Sequence, residues 1–437
     1  MTVKYIEVRP TSDLFAPAVR AFGDIAIIGR ASGFAAAAPS QPKDFSNPAD
    51  IATAFPRGST ALVSNAAKGE SAVVVAKTAR KDTAIRIGTA DNGEDHKVVS
   101  SAASAANFTL TLDSPLQEAR PSGTAVTEAT VGDSALARAV RIAFGQSPPP
   151  TKVWGVPVDT DRPEAWDAAL TEVAKLNVQF VVLADTPLNS ANSTLIGKLA
   201  SHVAADLGDG KERIGVAMFD STLKADEAVR LITGSVKSER MVLVAHKSSD
   251  DVAAATAGVI AGYRPHISML LKPISIAMTE MFSDSDIDVY DRNLVNWITS
   301  PVLLPGQALY LGEGYTADAS RNKKYIDIVR TLDDVSFQIK ATLIDAIGDL
   351  RISRVGLRTV VTLVQSVLSP LVAQQVIEDF SVVVPLLTLF DKEPADLLPA
   401  EAQQIKQARA RRSVDMTIQV VYAGAVHRLR IDLVFTG

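Results

Sequence analysis

The chain has 437 residues, of which 47% are apolar and 21% charged, a balance typical of soluble globular proteins that excludes a disordered chain. Its formal net charge is −5, so no strongly basic surface indicates a nucleic-acid-binding protein. The absence of cysteine excludes disulfides, zinc–thiolate sites and a cysteine nucleophile. A chain of this length allows about two to four domains.

The first third predicts mostly β structure. Residues 2–8 are rich in Val, Tyr and Ile and predict an extended strand, which is either a frayed terminus or an arm that pairs with another chain. Residues 24–29 (DIAIIG) predict a short buried strand. Turn chemistry such as Asp91-Asn92-Gly93 separates short β-type runs, which predict a small β-rich module over residues 58–130. The runs are residues 72–76, 84–88, 97–100, 108–112 and 124–127.

Strands and helices alternate from about residue 131 to residue 273. Four strand–helix units in a row predict a mainly parallel sheet covered by helices. The predicted strands are residues 153–158, 179–184, 213–219 and 241–246, and the predicted helices lie near 163–176, 191–206, 222–234 and 249–262. Residues 274–320 form a more irregular bridge.

The last third predicts helices and then strands. From Asn322 apolar residues recur every three or four positions, as in an amphipathic helix. The apolar run 360–377 contains Pro370 and several glutamines, which predicts a buried helix pair or a kinked helix and no membrane insertion. A polar helix over 398–412 follows. Two final strands, 416–422 and 426–435, meet across a turn at Gly424.

The usual reactive centres of an α/β enzyme are missing from the sequence. The first strand of the α/β region is followed by Asp159-Thr160-Asp161 without a glycine, and no phosphate-binding loop or nucleophile elbow occurs. The five histidines are not spaced as metal ligands, although His246 stands at a strand end where ligands often bind. No cofactor or metal is therefore expected.

The segment Asp284-x-Asp286-x-Asp288 is similar to the start of a calcium-binding loop. Val289 stands where that loop needs glycine, and Val295 stands where it needs a bidentate acid. A solvated acidic loop is the interpretation that the sequence favours.

An ordered set of weak motifs resembles the contractile tail sheath family, which includes the sheaths of phage tails, R-type bacteriocins and contractile injection systems. Such proteins open with an arm of the type V-Y-x-E, as in Val3-Lys4-Tyr5-Ile6-Glu7, and a strand that ends near a glycine, as in residues 25–31. A proline-rich stretch with Asp44-Phe45 and the segment 47–55 follow. Pro56 after Phe55 departs from the pattern. The order of elements from residue 325 to the C-terminus resembles the same family.

The resemblance implies a multidomain α/β fold with an inserted β-rich module and a C-terminal α+β domain that extended terminal arms complete. The implied domains are 1–57, an N-terminal arm and a segment that packs with the C-terminal domain; 58–130, an outer β-rich module; 131–320, the α/β domain; and 321–437, an inner domain with a terminal strand arm.

The resemblance also implies a structural, non-enzymatic sheath subunit. Such subunits assemble into stacked hexameric rings around an inner tube and contract to drive the tube through a target cell envelope. The implied partners are further copies of the chain, the inner tube protein, and baseplate and tail-terminator proteins. Assembly is expected in the host cytoplasm, within a virion tail or an injection particle.

Two sets of site residues are predicted on this basis. The inter-subunit strand arms comprise Val3, Tyr5, Ile6, Val8, Leu429, Ile431, Leu433 and Phe435. Over residues 426–435 apolar and mostly charged positions alternate, as strand addition across chains requires, although an intramolecular hairpin would have the same pattern. The predicted tube-facing helix carries Lys406, Arg409, Arg411 and Arg412, which a merely solvated helix would also explain.

Two other functions stay open at this point. The first is an α/β enzyme or small-ligand-binding protein with an unrecognised site at the carboxyl ends of the strands, near Asp159, Asp185, Asp220 and His246. The second is an envelope or adhesion protein in which the β-rich module recognises a target. Residues 1–9 contain no apolar signal-peptide core, which argues against ordinary secretion.

Overall fold

The computed structural model describes residues 23–34, 40–55, 58–81, 83–104, 106–129, 134–158, 163–205, 210–304, 308–318, 323–425 and 427. The contacts divide the chain into two compact units. The larger comprises Phe22–Arg264 with Ser268–Ile326, and the smaller includes Pro265–Ile267 and the chain from Asp327 onwards. The predicted strand at 2–8 lies outside the described residues, as does the predicted strand at 426–435 apart from His427.

The first described strand, β1 (Asp24–Arg30), lies inside a nine-stranded sheet. It pairs in parallel with residues 152–158 on one side and with 180–183 on the other. Four consecutive residues of β1, Ile25 to Ile28, are fully buried. A continuous apolar run of this kind is what a strand covered on both faces requires.

The segment after β1 also belongs to this sheet. Strand β2 (Lys43–Phe45) pairs antiparallel with residues 153–155, and a short helix α1 (Ile51–Ala54) follows it. Phe45 and Ile51 are buried there. The described residues from 24 to 55 of the predicted domain 1–57 thus belong to the larger sheet, whose edge their apolar side chains complete.

The β-rich module is a small antiparallel barrel. Its strands pair in the order β3-β8-β5-β6-β7-β4. Leu62, just after β3, bridges to Val75 of β4 and closes the ring, which leaves no open edge at this point. Inward-facing aliphatic residues form the core. The strands are β3 (Ser59–Ala61), β4 (Ala72–Val75), β5 (Ala84–Ile87), β6 (Glu94–Ser104), β7 (Asn107–Leu112) and β8 (Ala125–Glu128).

One carboxylate, that of Glu128, holds the points at which the chain enters and leaves the barrel. It accepts hydrogen bonds from the Gly33 amide, from Ser32 Oγ at 2.9 Å and from the Gly58 amide at 3.0 Å. Glu128 itself ends β8 and is buried. The incoming and outgoing segments are thereby fastened side by side.

The predicted parallel α/β core is confirmed. Four parallel pairings join β9, β1, β10, β11 and β12 in this order, which is that of a doubly wound sheet. The elements are α2 (Ala135–Phe144), β9 (Lys152–Val158), α3 (Pro163–Lys175), β10 (Phe180–Leu183), α4 (Ser193–Ala204), β11 (Ile214–Met218), α5 (Ala225–Arg230), β12 (Met241–Ala245) and α6 (Val252–Gly262).

Helix α6 is made almost entirely of small and aliphatic residues and is buried along nearly its whole length. This composition lets it pack closely against both the sheet and α2. At Gly258 a Cβ atom would stand 2.4 Å from the carbonyl oxygen of Ala143, so the two helices approach at a distance that only glycine permits.

The region predicted as an irregular bridge extends the sheet instead. Strand β14 pairs in parallel with β12, and β15 pairs antiparallel with β14 and β13. The sequence analysis missed these strands because they are two to four residues long. The elements are β13 (Pro273–Ile274), α7 (Asp284–Arg292), β14 (Asn296–Thr299) and β15 (Leu309–Leu311).

The acidic segment that resembled a calcium loop is helix α7, so the interpretation as a solvated loop is wrong. Ser283 caps its first turn: Ser283 Oγ accepts from the Asp286 amide at 3.3 Å, and the Asp286 carboxylate accepts from Ser283 in return. Acidic residues are favourable at a helix N-terminus because of the helix dipole.

The smaller unit packs two long helices against a two-stranded antiparallel sheet. Val335, Val364, Leu368, Val376 and Ile377 form its core. Strand β16 was missed, since its sequence IEDFSVV continues the apolar run that predicted helix. The elements are α8 (Ile326–Ala346), α9 (Arg354–Ala373), β16 (Ile377–Val383), α10 (Pro385–Phe390), α11 (Pro399–Arg411) and β17 (Thr417–Tyr422).

A buried arginine closes the C-terminus of α3 in the larger unit. Arg213 donates to the carbonyl oxygens of Val173 at 2.8 Å and Leu176 at 2.7 Å, at the end where a helix runs out of its own amide donors. Its Nη1 also lies 3.0 Å from His202 Nε2. Burial, and then the charge of Arg213, lower the pKa of His202 from 6.5 to about 4, so at neutral pH the imidazole is uncharged and accepts from Arg213.

This pair predicts a loss of stability in mild acid. As the pH falls from 6.5 towards 4 the unfolded chain takes up a proton at His202 and the folded chain does not. At pH 4.5 this lowers the free energy of unfolding by about 2 kcal/mol relative to pH 7. His202→Gln keeps an acceptor for Arg213 and cannot titrate, so its loss over this interval should be smaller by that amount in urea unfolding. Equal losses in both proteins would contradict the assignment.

Candidate assembly surfaces

A buried polar network ties the end of β17 to the first turn of α8. Tyr422 Oη donates to Asp327 Oδ2 at 2.6 Å, and Asp327 is itself buried. Burial, followed by the hydrogen bond to Asp327, raises the pKa of Tyr422, so the phenol keeps its proton and stays a donor. Burial also lowers the pKa of Arg330 to about 10 against the opposing effect of Asp334, Asp327 and Asp333, which leaves the guanidinium charged at neutral pH.

The sheet formed by β16 and β17 is small and partly exposed. Residues 377–383 pair antiparallel with 417–422, and within the described residues the sheet contains these two strands alone. Val383, Val420 and Val421 are exposed on it. Two-stranded sheets are marginally stable in water, and further strands or a packing surface stabilise them. This pair is therefore suited to accept a strand along either edge.

Helices α8 and α9 also leave apolar side chains in water. In α9 the buried residues are Gly356, Leu357, Val364 and Leu368, so burial is one-sided and the prediction of a buried helix pair is wrong. By length and composition, α9 is the one helix in the described parts of the chain that could cross a membrane, which is weak evidence on its own. The exposed aliphatic residues of the two helices and of the turn between them are Leu332, Ile344, Ile347 and Val355.

Helix α11 presents the predicted cluster of basic side chains. Lys406, Arg409, Arg411 and Arg412 are all exposed. The one acid of the helix, Glu401, is engaged at the other end, where it pairs with Lys392 at 2.6 Å and accepts from the Leu398 amide. The Lys392 hydrogen bond lowers the pKa of Glu401.

Arg409 differs from the other three cations because it is used inside the subunit. Its Nε donates to the Ile352 carbonyl oxygen at 3.3 Å, and its guanidinium lies 5.3 Å from the centre of the Phe390 ring. Lys406, Arg411 and Arg412 have no hydrogen-bond or ion-pair partner in the part of the chain that the structure describes. These three are available to bind an acidic surface.

The polar residues at the strand ends do not form one site. Asp185 and Arg138 lie 3.5 Å apart, and the Asp185 amide donates to Asp251. Asp220 is separately occupied by Asn189 and Thr222. Asp159 lies outside the described residues, and among the described ones no cluster of acids and histidines could hold a metal ion.

His246 is buried, and burial is the main cause of a lowered pKa. Its Nδ1 accepts from the Ser248 amide at 3.2 Å. The switch point of the sheet between β1 and β10, where doubly wound folds bind ligands, is also filled, because a Cβ at Gly29 would lie 2.6 Å from the Ala184 side chain. Asp220 and Asp251 have hydrogen-bond partners within the chain, whereas His246 Nε2 is buried without one among the described residues.

The arm residues Val3, Tyr5, Ile6, Val8, Leu429, Ile431, Leu433 and Phe435 lie outside the described residues. Strand β17 ends at Tyr422, within the polar network and four residues before the C-terminal segment begins at residue 426. The sequence analysis missed the Tyr422–Asp327 bond, since nothing in the pattern pairs residues that are 95 positions apart.

No family model matches the sequence, and no curated protein sequence matches it. Solved structures are similar over the whole length. A chain of the baseplate of the anti-feeding prophage superposes with a TM-score of 0.55 at 15% identity, covering 100% of this chain and 99% of that one. The helical sheath of the same particle in its contracted state gives 0.57 at 13% identity, covering 99% and 98%. The chain has the fold of a contractile tail sheath protein.

A second sheath shares part of this fold. The contracted sheath complex of the extracellular contractile injection system PVC superposes with a TM-score of 0.50 at 16% identity, covering 69% of this chain and 80% of that one. The resemblance drawn from the sequence motifs is thereby confirmed for the fold.

The Tyr422–Asp327 bond predicts a local loss of stability in the Tyr422→Phe variant. Removal of the hydroxyl leaves a buried carboxylate without its donor, which costs about 1–3 kcal/mol. Amide hydrogen exchange in β17 and in the first turns of α8 should then accelerate by about 5- to 150-fold, provided that these amides exchange through opening of the smaller unit. Tyr310→Phe, which removes a hydroxyl without a hydrogen bond in the described chain, is the matched control, and equal exchange in both variants would count against the network.

Proposed function

We propose that this chain is a sheath subunit, which assembles into stacked hexameric rings around an inner tube and contracts to drive the tube through a target cell envelope. The observation that carries the proposal is the likeness of the whole chain to sheath chains, at 98–99% coverage in both directions for the contracted sheath. Further copies of the chain, the inner tube protein, and baseplate and terminator proteins are its partners. Assembly takes place in the host cytoplasm, and the product is part of a virion tail or an injection particle.

The terminal arms link neighbouring subunits in this proposal. Val3, Tyr5, Ile6 and Val8 of one arm and Leu429, Ile431, Leu433 and Phe435 of the other add as strands to the β16–β17 sheet of adjacent copies. The small sheet and its exposed valines support this, because each added strand covers apolar surface and forms main-chain hydrogen bonds. Each bond contributes about 0.5–1.5 kcal/mol, so several per strand hold a mesh together while the bodies of the subunits move.

The inner tube binds to helix α11 through Lys406, Arg411 and Arg412. Arg409, included in the sequence prediction, has a second role within the subunit because it contacts Phe390 and Ile352. Attraction between exposed charges is screened by salt and falls off over about 10 Å at 0.1 M. A contact of this kind can release the tube when the sheath widens.

The subunit acts without catalysis in this proposal. The energy of contraction is stored in subunit contacts during assembly and is released when the array changes between two packed arrangements. Each predicted domain has one role in this proposal. Residues 1–57 form the arm, 58–130 the outer module, 131–320 the body of the subunit and 321–437 the inner mesh. Residues 24–55 belong to the body as well, because β1 and β2 pair with strands of its sheet.

Deletion of residues 426–437 should abolish assembly and leave the subunit folded. Negative-stain electron microscopy of the purified full-length chain should show striated tubes, which the deletion variant lacks because neighbouring sheets lose a strand. Arg430→Gln, which changes the polar face of the arm alone, should still form tubes. Tubes from the deletion variant would refute the role of the arm, and discrete monomers from the full-length chain would refute the sheath function.

Charge reversal on α11 should weaken tube binding. The double variant Lys406→Glu, Arg411→Glu replaces attraction by repulsion at exposed positions, so co-sedimentation with the cognate inner tube at 0.15 M salt should fall at least tenfold. Thermal stability should stay unchanged, because neither side chain has a partner within the described residues. Lys81→Glu with Lys237→Glu makes the same change in net charge on the larger unit and should bind as the unmodified chain does. Equal binding by both double variants would refute the assignment.

A further inference from the structure

The hairpin of β14 and β15 ends in an apolar turn that stands in water. Pairing of Ile298 with Leu311 and of Thr299 with Tyr310 forms the hairpin. Residues 301–304, called the tip below, form a turn in which the Leu304 amide donates to the Pro301 carbonyl oxygen at 3.1 Å. The side chains of Val302 and Leu303 are 99% and 96% exposed. Turns are usually polar, and two adjacent aliphatic side chains left fully in water indicate a surface that becomes covered.

The hairpin that carries the tip is fixed at its base. Asn296 is buried, and its Nδ2 donates to the carbonyl oxygens of Leu243 at 3.0 Å and Tyr315 at 2.9 Å. Its Oδ1 accepts from the Tyr315 amide at 2.7 Å. Ser300 Oγ donates to the Ala308 carbonyl oxygen at 3.0 Å and closes the neck of the loop. The tip is therefore presented on a rigid support, which reduces the entropy that docking would cost.

A cleft of about 1100 Å³ lies beside the base of the same hairpin. Ile274, Ile276, Met278, Met281 and Leu309 supply apolar surface, and Lys247 is the one charged residue among the described residues that line it. Methionine side chains adapt readily to the shape of an inserted group. The cleft is thus nearly free of charge, in a protein of which 21% is charged, and matches an uncharged tip.

One wall of the cleft is an extended segment with an open edge. Gln146 Oε1 accepts from the Ser275 amide at 2.8 Å, and Asp250 Oδ2 accepts from the Ala277 amide at 2.7 Å. The backbone groups of Ile276 and Met278 alternate with these and form no hydrogen bond in the described chain. Such an edge accepts main-chain hydrogen bonds from an incoming segment as well as its side chains.

We propose that the tip of one subunit docks into the cleft of a second copy of this chain. The tip leaves its own cleft open, since Val302 and Leu303 are almost fully exposed. Tip and cleft are different patches of one surface, so the contact is heterologous and repeats from subunit to subunit as a ring or a helix. This geometry selects a copy of the chain as the occupant, because each subunit brings both halves of the contact.

The size of the contact explains why it acts in an array. A turn of four residues buries much less than the roughly 1,000 Å² that a stable isolated interface requires. The inference therefore rests on the proposed sheath function, in which the arms already hold the copies together and the tip–cleft contact is made many times. It adds a contact between the larger units, which the arms and the inner helix do not provide.

Cysteine cross-linking tests the contact, because the natural chain contains no cysteine. Leu303→Cys and Met281→Cys are made in separate proteins, mixed under assembly conditions and treated with a short bismaleimide. Met281 is 41% exposed, and Leu303 almost fully, so both variants should fold. A cross-linked pair should form in this mixture and be at least tenfold less abundant when Asp91→Cys, in an exposed turn of the barrel, replaces Met281→Cys.

Three results would overturn the inference: Leu303→Cys linking mainly to itself, linking equally to the Asp91→Cys control, or no link in a preparation that forms striated tubes. Tubes without the cross-link leave the sheath function in place, whereas the cross-link without tubes supports the contact and refutes the sheath. A second variant, Val302→Ser with Leu303→Ser, should raise the concentration needed for tubes at least tenfold at an unchanged melting temperature. Unchanged assembly of that variant would also count against the contact.

Discussion

The larger unit depends on the double pairing of one strand. Strand β1 pairs in parallel with β9 on one side and with β10 on the other. The chain leaves the sheet after β2, forms the barrel and returns through α2 before β9 pairs with β1. The same pairing brings Gly29 against Ala184 and fills the switch point between β1 and β10. Two carboxylates near the strand ends, those of Asp220 and Asp251, are hydrogen-bonded within the same unit.

The smaller unit has the opposite character. Its sheet has two strands within the described residues, and several aliphatic side chains of α8 and α9 face water. The larger unit thus buries an extensive apolar core, whereas the smaller one has a small core and leaves aliphatic side chains exposed. The Tyr422–Asp327 bond lies within this unit, where it joins the end of β17 to the first turn of α8.

Strongly periodic or continuous apolar segments could be predicted from the sequence. The run DIAIIG, the four β–α units and five of the six described barrel strands appear close to their predicted positions, because burial on both faces or on alternate positions leaves a clear pattern, whereas the three-residue β3 was missed. Strands such as β13 to β15 are too short for any period, and β16 continues an apolar run that suits a helix. The candidate site was less predictable. Exposure of Lys406 and Arg411 followed from composition, whereas the tip, the cleft and the hydrogen bonds of Glu128 depend on contacts between distant residues.

The hydrogen bonds of Glu128 at the two ends of the barrel have a consequence for how such a protein can change over evolutionary time. The barrel enters and leaves the larger unit through segments that one carboxylate holds together, so its two ends are neighbours. A different domain with adjacent termini can replace it while β1, β2 and α2 keep their register, because no strand of the barrel belongs to the nine-stranded sheet. The barrel can thus be exchanged as a cassette, and recombination at two short joints would give the same nine-stranded sheet a new appended domain.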